Sequence, residues 1–126
     1  MAHNKKILLV EDESTLRQPM AFGLRDEGFT VIEAENGEEG LEFALKEKPD
    51  LILLDLIMPI VDGMAVLREL RKNAWGKEVP VILLTNLNET EKITEAVESK
   101  VYEYLVKSDW SLDDVVKKIK EKLGIK

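Results

Sequence analysis

The 126-residue chain contains no cysteine and a single histidine. The missing thiols exclude disulfides, thiolate nucleophiles, zinc–thiolate sites and iron–sulfur clusters. His3 lies in the polar stretch 1–6, where residues 1–5 read as a flexible terminus, so imidazole-based metal sites and histidine-dependent triads are set aside as well. Positive charge is also in short supply: 18 Lys and Arg stand against 25 Asp and Glu, a net charge of −7, and the basic residues form no block. Binding to a phosphate backbone needs such a footprint, and direct nucleic-acid binding is not expected. Long hydrophobic runs are missing too. The longest, Leu51–Val61, is interrupted by Asp55 and Pro59 and falls short of the roughly 20 apolar residues that span a bilayer. With neither a signal peptide nor a membrane segment evident, no membrane partner and a cytoplasmic location are expected.

Hydrophobic residues make up 44% of the chain and charged residues 34%, which suits one ordinary domain over 1–126 with a core of normal size. Five short aliphatic runs recur: Ile7–Val10, Val31–Ile32 with Ala34, Leu51–Leu54, Val79–Leu84 with one proline, and Tyr102–Val106. Mostly continuous rather than alternating, they fit strands buried on both faces of a parallel sheet. Helical spacing fills the intervals. Beyond Ser111, residues Leu112, Val115, Val116, Ile119 and Leu123 form one stripe. Ser111 is placed to cap that helix, Asp113 and Asp114 sit in its first turn, and Gly124 marks its end. Asn88 with Glu91 opens another helix, carrying Ile93, Ala96 and Val97. Gly40, Leu41, Ala44 and Leu45 give a third apolar face, and Met64, Leu67 and Leu70 a fourth.

Between Ser14 and Asp26, residues Leu16, Met20 and Leu24 share a face. Pro19 removes a backbone donor there and Gly23 adds entropic cost, which predicts a kinked or late-starting helix. Strand and helix thus alternate five times, the pattern of a doubly wound α/β sheet with helices on both faces. Ligands of such sheets bind beyond the carboxyl ends of the strands.

The residues at those ends carry the chemistry. Glu11 and Asp12 follow the first run, Asp55 ends the third, Thr85 the fourth and Lys107 the fifth. Any one of these is more often an ordinary loop residue, but five together on one sheet edge are not. Three gathered carboxylates repel by up to ~4 kcal/mol per close pair at an effective dielectric near 20, and need a cation. With oxygen ligands alone available, Mg²⁺ or another hard divalent ion is favoured over zinc. A carboxylate beside a metal and an ammonium can act as a nucleophile toward phosphorus.

Val10-Glu11-Asp12, Asp55-Leu56-Ile57-Met58-Pro59 with Asp62-Gly63, Thr85, and Tyr104-Leu105-Val106-Lys107 together resemble the receiver domain of two-component response regulators, over essentially the whole chain. The resemblance implies a stand-alone, chemotaxis-regulator-like (βα)5 flavodoxin-like fold with strand order 2-1-3-4-5. It implies that Asp55 takes a phosphoryl group from a histidine kinase or phosphotransfer protein. Asp12, Asp55 and the Ile57 carbonyl would ligate Mg²⁺ directly, with Glu11 acting mainly through metal-bound water. Thr85 and Lys107 would each hold a phosphoryl oxygen, and Tyr104 would turn inward as the aromatic switch. The implied protein catalyses only its own phosphoryl uptake and hydrolysis. It would act on a downstream protein partner as a monomer or a weak phosphorylation-dependent dimer.

The chain departs from the family at four places. Ser108 follows Lys107 where a cis proline is usual, and a cis bond without proline costs ~2.5–4 kcal/mol. Asn86 follows Thr85 where a small residue is usual, Lys100-Val101 replaces a common Gly-Ala pair, and Pro19 interrupts the first helix. Trp75 and Trp110 lie in predicted connections, with burial expected for Trp110. Two enzyme or carrier alternatives fare poorly. A haloacid-dehalogenase-like phosphatase needs a second acid where Ile57 stands, and an FMN carrier of flavodoxin type would not place Glu11-Asp12-Glu13 against a phosphate. The remaining alternative is a receiver-fold interaction module that is never phosphorylated.

Overall fold

The structure, a computed structural model, describes residues 5–55, 63–76, 79–85, 103–106 and 111–124. Strands β1 (Lys6–Val10), β2 (Thr30–Ala34), β3 (Leu51–Asp55), β4 (Val81–Thr85) and β5 (Glu103–Val106) form one parallel sheet in the order β2-β1-β3-β4-β5. The predicted order and parallel sense are both observed. Helices α1 (Ser14–Asp26), α2 (Gly37–Glu47), α3 (Gly63–Lys72) and α4 (Leu112–Leu123) complete the described elements. The helix expected from Asn88 lies outside the described residues, as does Trp110.

Continuous aliphatic strands put alternate side chains into two separate cores. Leu8, Val10, Ile52, Leu54, Val81 and Leu83 pack with Ala44 of α2 and Val66, Leu67 and Leu70 of α3, and Trp75 lies half-buried against them. Ile7, Leu9, Leu51, Leu53, Ile82 and Leu84 pack on the other face with Met20, Ala21 and Leu24 of α1 and Val115, Val116 and Ile119 of α4.

The C-terminal helix begins as the sequence predicts. Ser111 accepts from the Asp114 backbone while Asp114 accepts from that of Ser111, a reciprocal capping box. It ends at Gly124, whose φ of 68° is open to a residue without a Cβ.

Two expectations need correction. Leu45 is 38% exposed rather than part of the α2 packing face, which Gly40 and Ala44 occupy. Helix α1 starts at Ser14 and runs through Pro19 for 13 residues, so it is not late-starting. The carbonyl that Pro19 leaves unbonded is that of Thr15, four residues earlier, and both residues are exposed, so water can serve it. Gly23 has a tertiary reason: a Cβ there would clash with Leu112 Cδ2, so its absence permits the close approach of α1 and α4.

Candidate functional site

Parallel register brings the first acids together. Val10 pairs with Leu54, so Glu11 and Asp12, the next residues along, emerge beside Asp55 at the end of β3. Carboxylate oxygens of Glu11, Asp12 and Asp55 all lie within 4.8 Å of one another. Glu11 is 1% exposed and Asp55 2%, while Asp12 is half-buried. Packing three acids so tightly and largely out of water is unfavourable for a bare cluster. Its oxygen-only donors and spacing fit a hard divalent cation such as Mg²⁺.

The other predicted residues are placed less completely. Thr85 ends β4, which neighbours β3. Its strand partner in β5 is Val106, one step beyond the Asp55–Leu84 pair. Thr85 therefore stands on the same sheet edge as the acids. Tyr104 lies in β5 opposite Leu83, two residues back from that edge. Ile57 and Lys107 lie outside the described residues, as do Asn86, Ser108, Lys100 and Val101.

One residue behind the acids escaped the sequence reading. Arg17 on α1 is only 6% exposed. Its Nη1 donates to the Glu11 carbonyl at 2.9 Å, its Nε to Glu33 Oε1 at 3.2 Å, and its Nη2 to Glu35 Oε1 at 3.5 Å. The signal was present in the helical phase. Arg17, Met20, Ala21 and Leu24 sit at i, i+3, i+4 and i+7 and are the buried stripe, whereas Leu16, expected on one face with Met20 and Leu24, is 39% exposed. A charged residue in phase with a core-facing stripe marks a buried polar role.

Among the described residues, no helix is long and apolar enough to cross a membrane.

Comparison with known proteins agrees with the fold. Residues 7–120 match the response regulator receiver domain model. The transcriptional regulatory protein ResD of Bacillus subtilis is 38% identical over 115 residues, covering 91% of this chain and 46% of ResD. A probable transcriptional regulator, ycf27 of Porphyra purpurea, is 42% identical over 103 residues, covering 82% of this chain and 41% of its own length. The chain thus spans less than half the length of these curated relatives. Among solved structures, Vibrio cholerae chemotaxis protein CheY4 superposes with a TM-score of 0.87 at 28% identity, covering 94% of this chain and 98% of that one. The receiver domain of Francisella response regulator 1452 does so at 0.86 and 29%, covering 96% and 98%. With the family model matched along nearly the whole chain and the acids of its first and third strands clustered at one sheet edge, the chain belongs to the response regulator receiver domain family of two-component systems.

Proposed function

We propose that this receiver accepts a phosphoryl group on Asp55 and uses it to switch its output surface. The observation that carries the reading is the cluster of Glu11, Asp12 and Asp55, three carboxylates within 4.8 Å at the carboxyl edge of a parallel sheet. In it, Asp12 and Asp55 would hold Mg²⁺ together with the Ile57 carbonyl, with Glu11 acting mainly through water on the ion. Bound there, the ion would supply positive charge to offset that of the phosphoryl oxygens during transfer. An Asp55 carboxylate oxygen bonds to phosphorus as the donor's bond to phosphorus breaks, leaving an aspartyl phosphate on β3. Thr85, one strand away, and Lys107 each hold a phosphoryl oxygen, supplying hydroxyl and ammonium donors to a group with three strong acceptors. Tyr104 follows Thr85 inward and changes the surface at β5.

The donor is a histidine kinase or a phosphotransfer protein, and the output goes to a downstream protein partner. The protein works in the cytoplasm, as a monomer or a weak phosphorylation-dependent dimer. Its only catalysis is of its own phosphoryl uptake and loss.

Intact-mass analysis after incubation with acetyl phosphate tests the reading. A single phosphoryl adduct is expected in wild type with Mg²⁺, and none in Asp55→Asn or after chelation. An adduct that persists in Asp55→Asn removes Asp55 from the role. A folded wild type that takes up no phosphoryl group, either from acetyl phosphate or from phosphorylated kinases, favours the unphosphorylated interaction module.

A further inference from the structure

We infer that Arg17 is a positioning residue for the acid cluster, acting through the backbone of Glu11; this rests on the reading of that cluster as a Mg²⁺ site. Each of the three guanidinium nitrogens of Arg17 is used once, and the acceptors come from three segments: the turn after β1, strand β2 and the turn after β2. The contact with Glu11 is the one that reaches the site.

A peptide unit is rigid, so the Glu11 carbonyl and the Asp12 N–H move as one plate. Arg17 holds that plate through the carbonyl at 2.9 Å, and the preceding plate is held by the Glu11 N–H donating to the Ala34 carbonyl at 3.1 Å. Both soft dihedrals of Glu11 are thereby fixed. So are the direction in which the Glu11 side chain leaves the chain and the place of the Asp12 Cα, which lies in the second plate. One buried arginine on α1 thus aims the first of the three acids and places the backbone of the second. Its charge is met by Glu33 and Glu35, so it can sit near an acidic site with its charge already paired.

Arg25 provides the comparison needed to separate aiming from simple stability. It lies on the same helix, pairs with the other oxygen of the same Glu33 at 3.1 Å, and donates to the Val31 carbonyl at 2.9 Å, but none of its hydrogen bonds goes to Glu11 or Asp12. It fastens the α1–β2 seam without reaching the acids.

Isothermal titration calorimetry with Mg²⁺ on the full chain, with thermal melts beside it, tests the assignment. Arg17→Met is expected to weaken Mg²⁺ binding by about tenfold, the size typical of losing a group that orients metal ligands. Arg25→Met is expected to lower the melting temperature and leave Mg²⁺ affinity unchanged within about twofold, because it bonds neither Glu11 nor Asp12 and Arg17 keeps its own bond to the Glu11 carbonyl without it. If Arg17→Met does not fold, Arg17→Lys decides: one ammonium cannot serve three acceptors in a fixed fork, and a weakening of about threefold or more is expected. Wild-type affinity in the folded Arg17 variant overturns the assignment, as does equal weakening in Arg25→Met. A wild type that binds no Mg²⁺ overturns the reading of the site itself, and the assignment with it.

Discussion

Leu54 and Asp55 are neighbours on β3, 0% and 2% exposed, in the central strand of the sheet. Burying Leu54 contributes about 1.5–3 kcal/mol, because its whole side chain leaves water for a packed apolar face. Burying an ionised Asp55 costs several kcal/mol of hydration before any partner is counted, and two more carboxylates stand beside it. One residue thus separates a position whose burial is favourable by itself from one that needs partners to be buried. The lesson is that the sheet interior carries enough stability for its carboxyl edge to be given over to charge, which points to the edge as the place of function.

The largest effect should come from breaking the interior. Leu54→Ala removes a fully buried side chain facing α2 and α3 and is expected to cost about 2–5 kcal/mol, read as a lower urea midpoint with an unchanged slope. Gly23→Ala should come next. The new methyl would meet Leu112 across the α1–α4 contact, and overpacking of this kind costs about 1–3 kcal/mol, offset in part by the roughly 1 kcal/mol that alanine gains over glycine within a helix. Combining it with Leu112→Ala should cost less than the two changes added separately, because the second makes room for the first. Strict additivity in that double-mutant cycle would show that the contact is not the cause.

The interior was legible in the sequence because it is written locally. A run of four or five aliphatics reads as a buried parallel strand wherever it occurs, and Ser111 to Gly124 carries its own cap, stripe and stop. The acids were legible because each stands at the end of such a run. What stayed hidden depends on partners far along the chain. Gly23 reads as a weak point in a helix until Leu112 is seen against it. Arg17 shares the phase of the buried stripe, but its acceptors, Glu33, Glu35 and the Glu11 carbonyl, show only in the fold. Leu45 reads as core by its type, yet helix phase turns it outward.

The edge can be tested by removing the charge that makes it costly. In metal-free buffer, Asp55→Asn should be more stable than wild type by about 1–2 kcal/mol, since it relieves two like-charge contacts while nearly keeping the shape. Adding Mg²⁺ should reverse the order. The wild type gains about 2.7 kcal/mol at a hundredfold excess over Kd, and the variant, with a ligand lost, gains much less. Urea melts with and without chelator read both arms. An Asp55→Asn variant less stable than wild type in both buffers would mean that the carboxylate is already stabilised by the protein, and the contrast with Leu54 would fail.

The smallest effect sharpens the same contrast from the opposite side. Phe22 on α1 is as apolar as any core residue but 74% exposed, so little of its surface has left water. Its neighbours in sequence, Ala21 and Gly23, face the packed side of the helix, which leaves Phe22 on the outer face. Single exposed hydrophobes contribute little to folding, and Phe22→Ser should change stability by no more than about 0.5 kcal/mol. Set against Leu54→Ala, that near-zero value would show that burial in the fold, and not apolar character, decides what a side chain contributes. A loss above about 1 kcal/mol would mean that Phe22 is covered in solution, because exposed surface substitutions rarely reach that size. The melt should then be repeated across a range of protein concentrations, since cover supplied by a second copy makes stability concentration-dependent and cover within the chain does not.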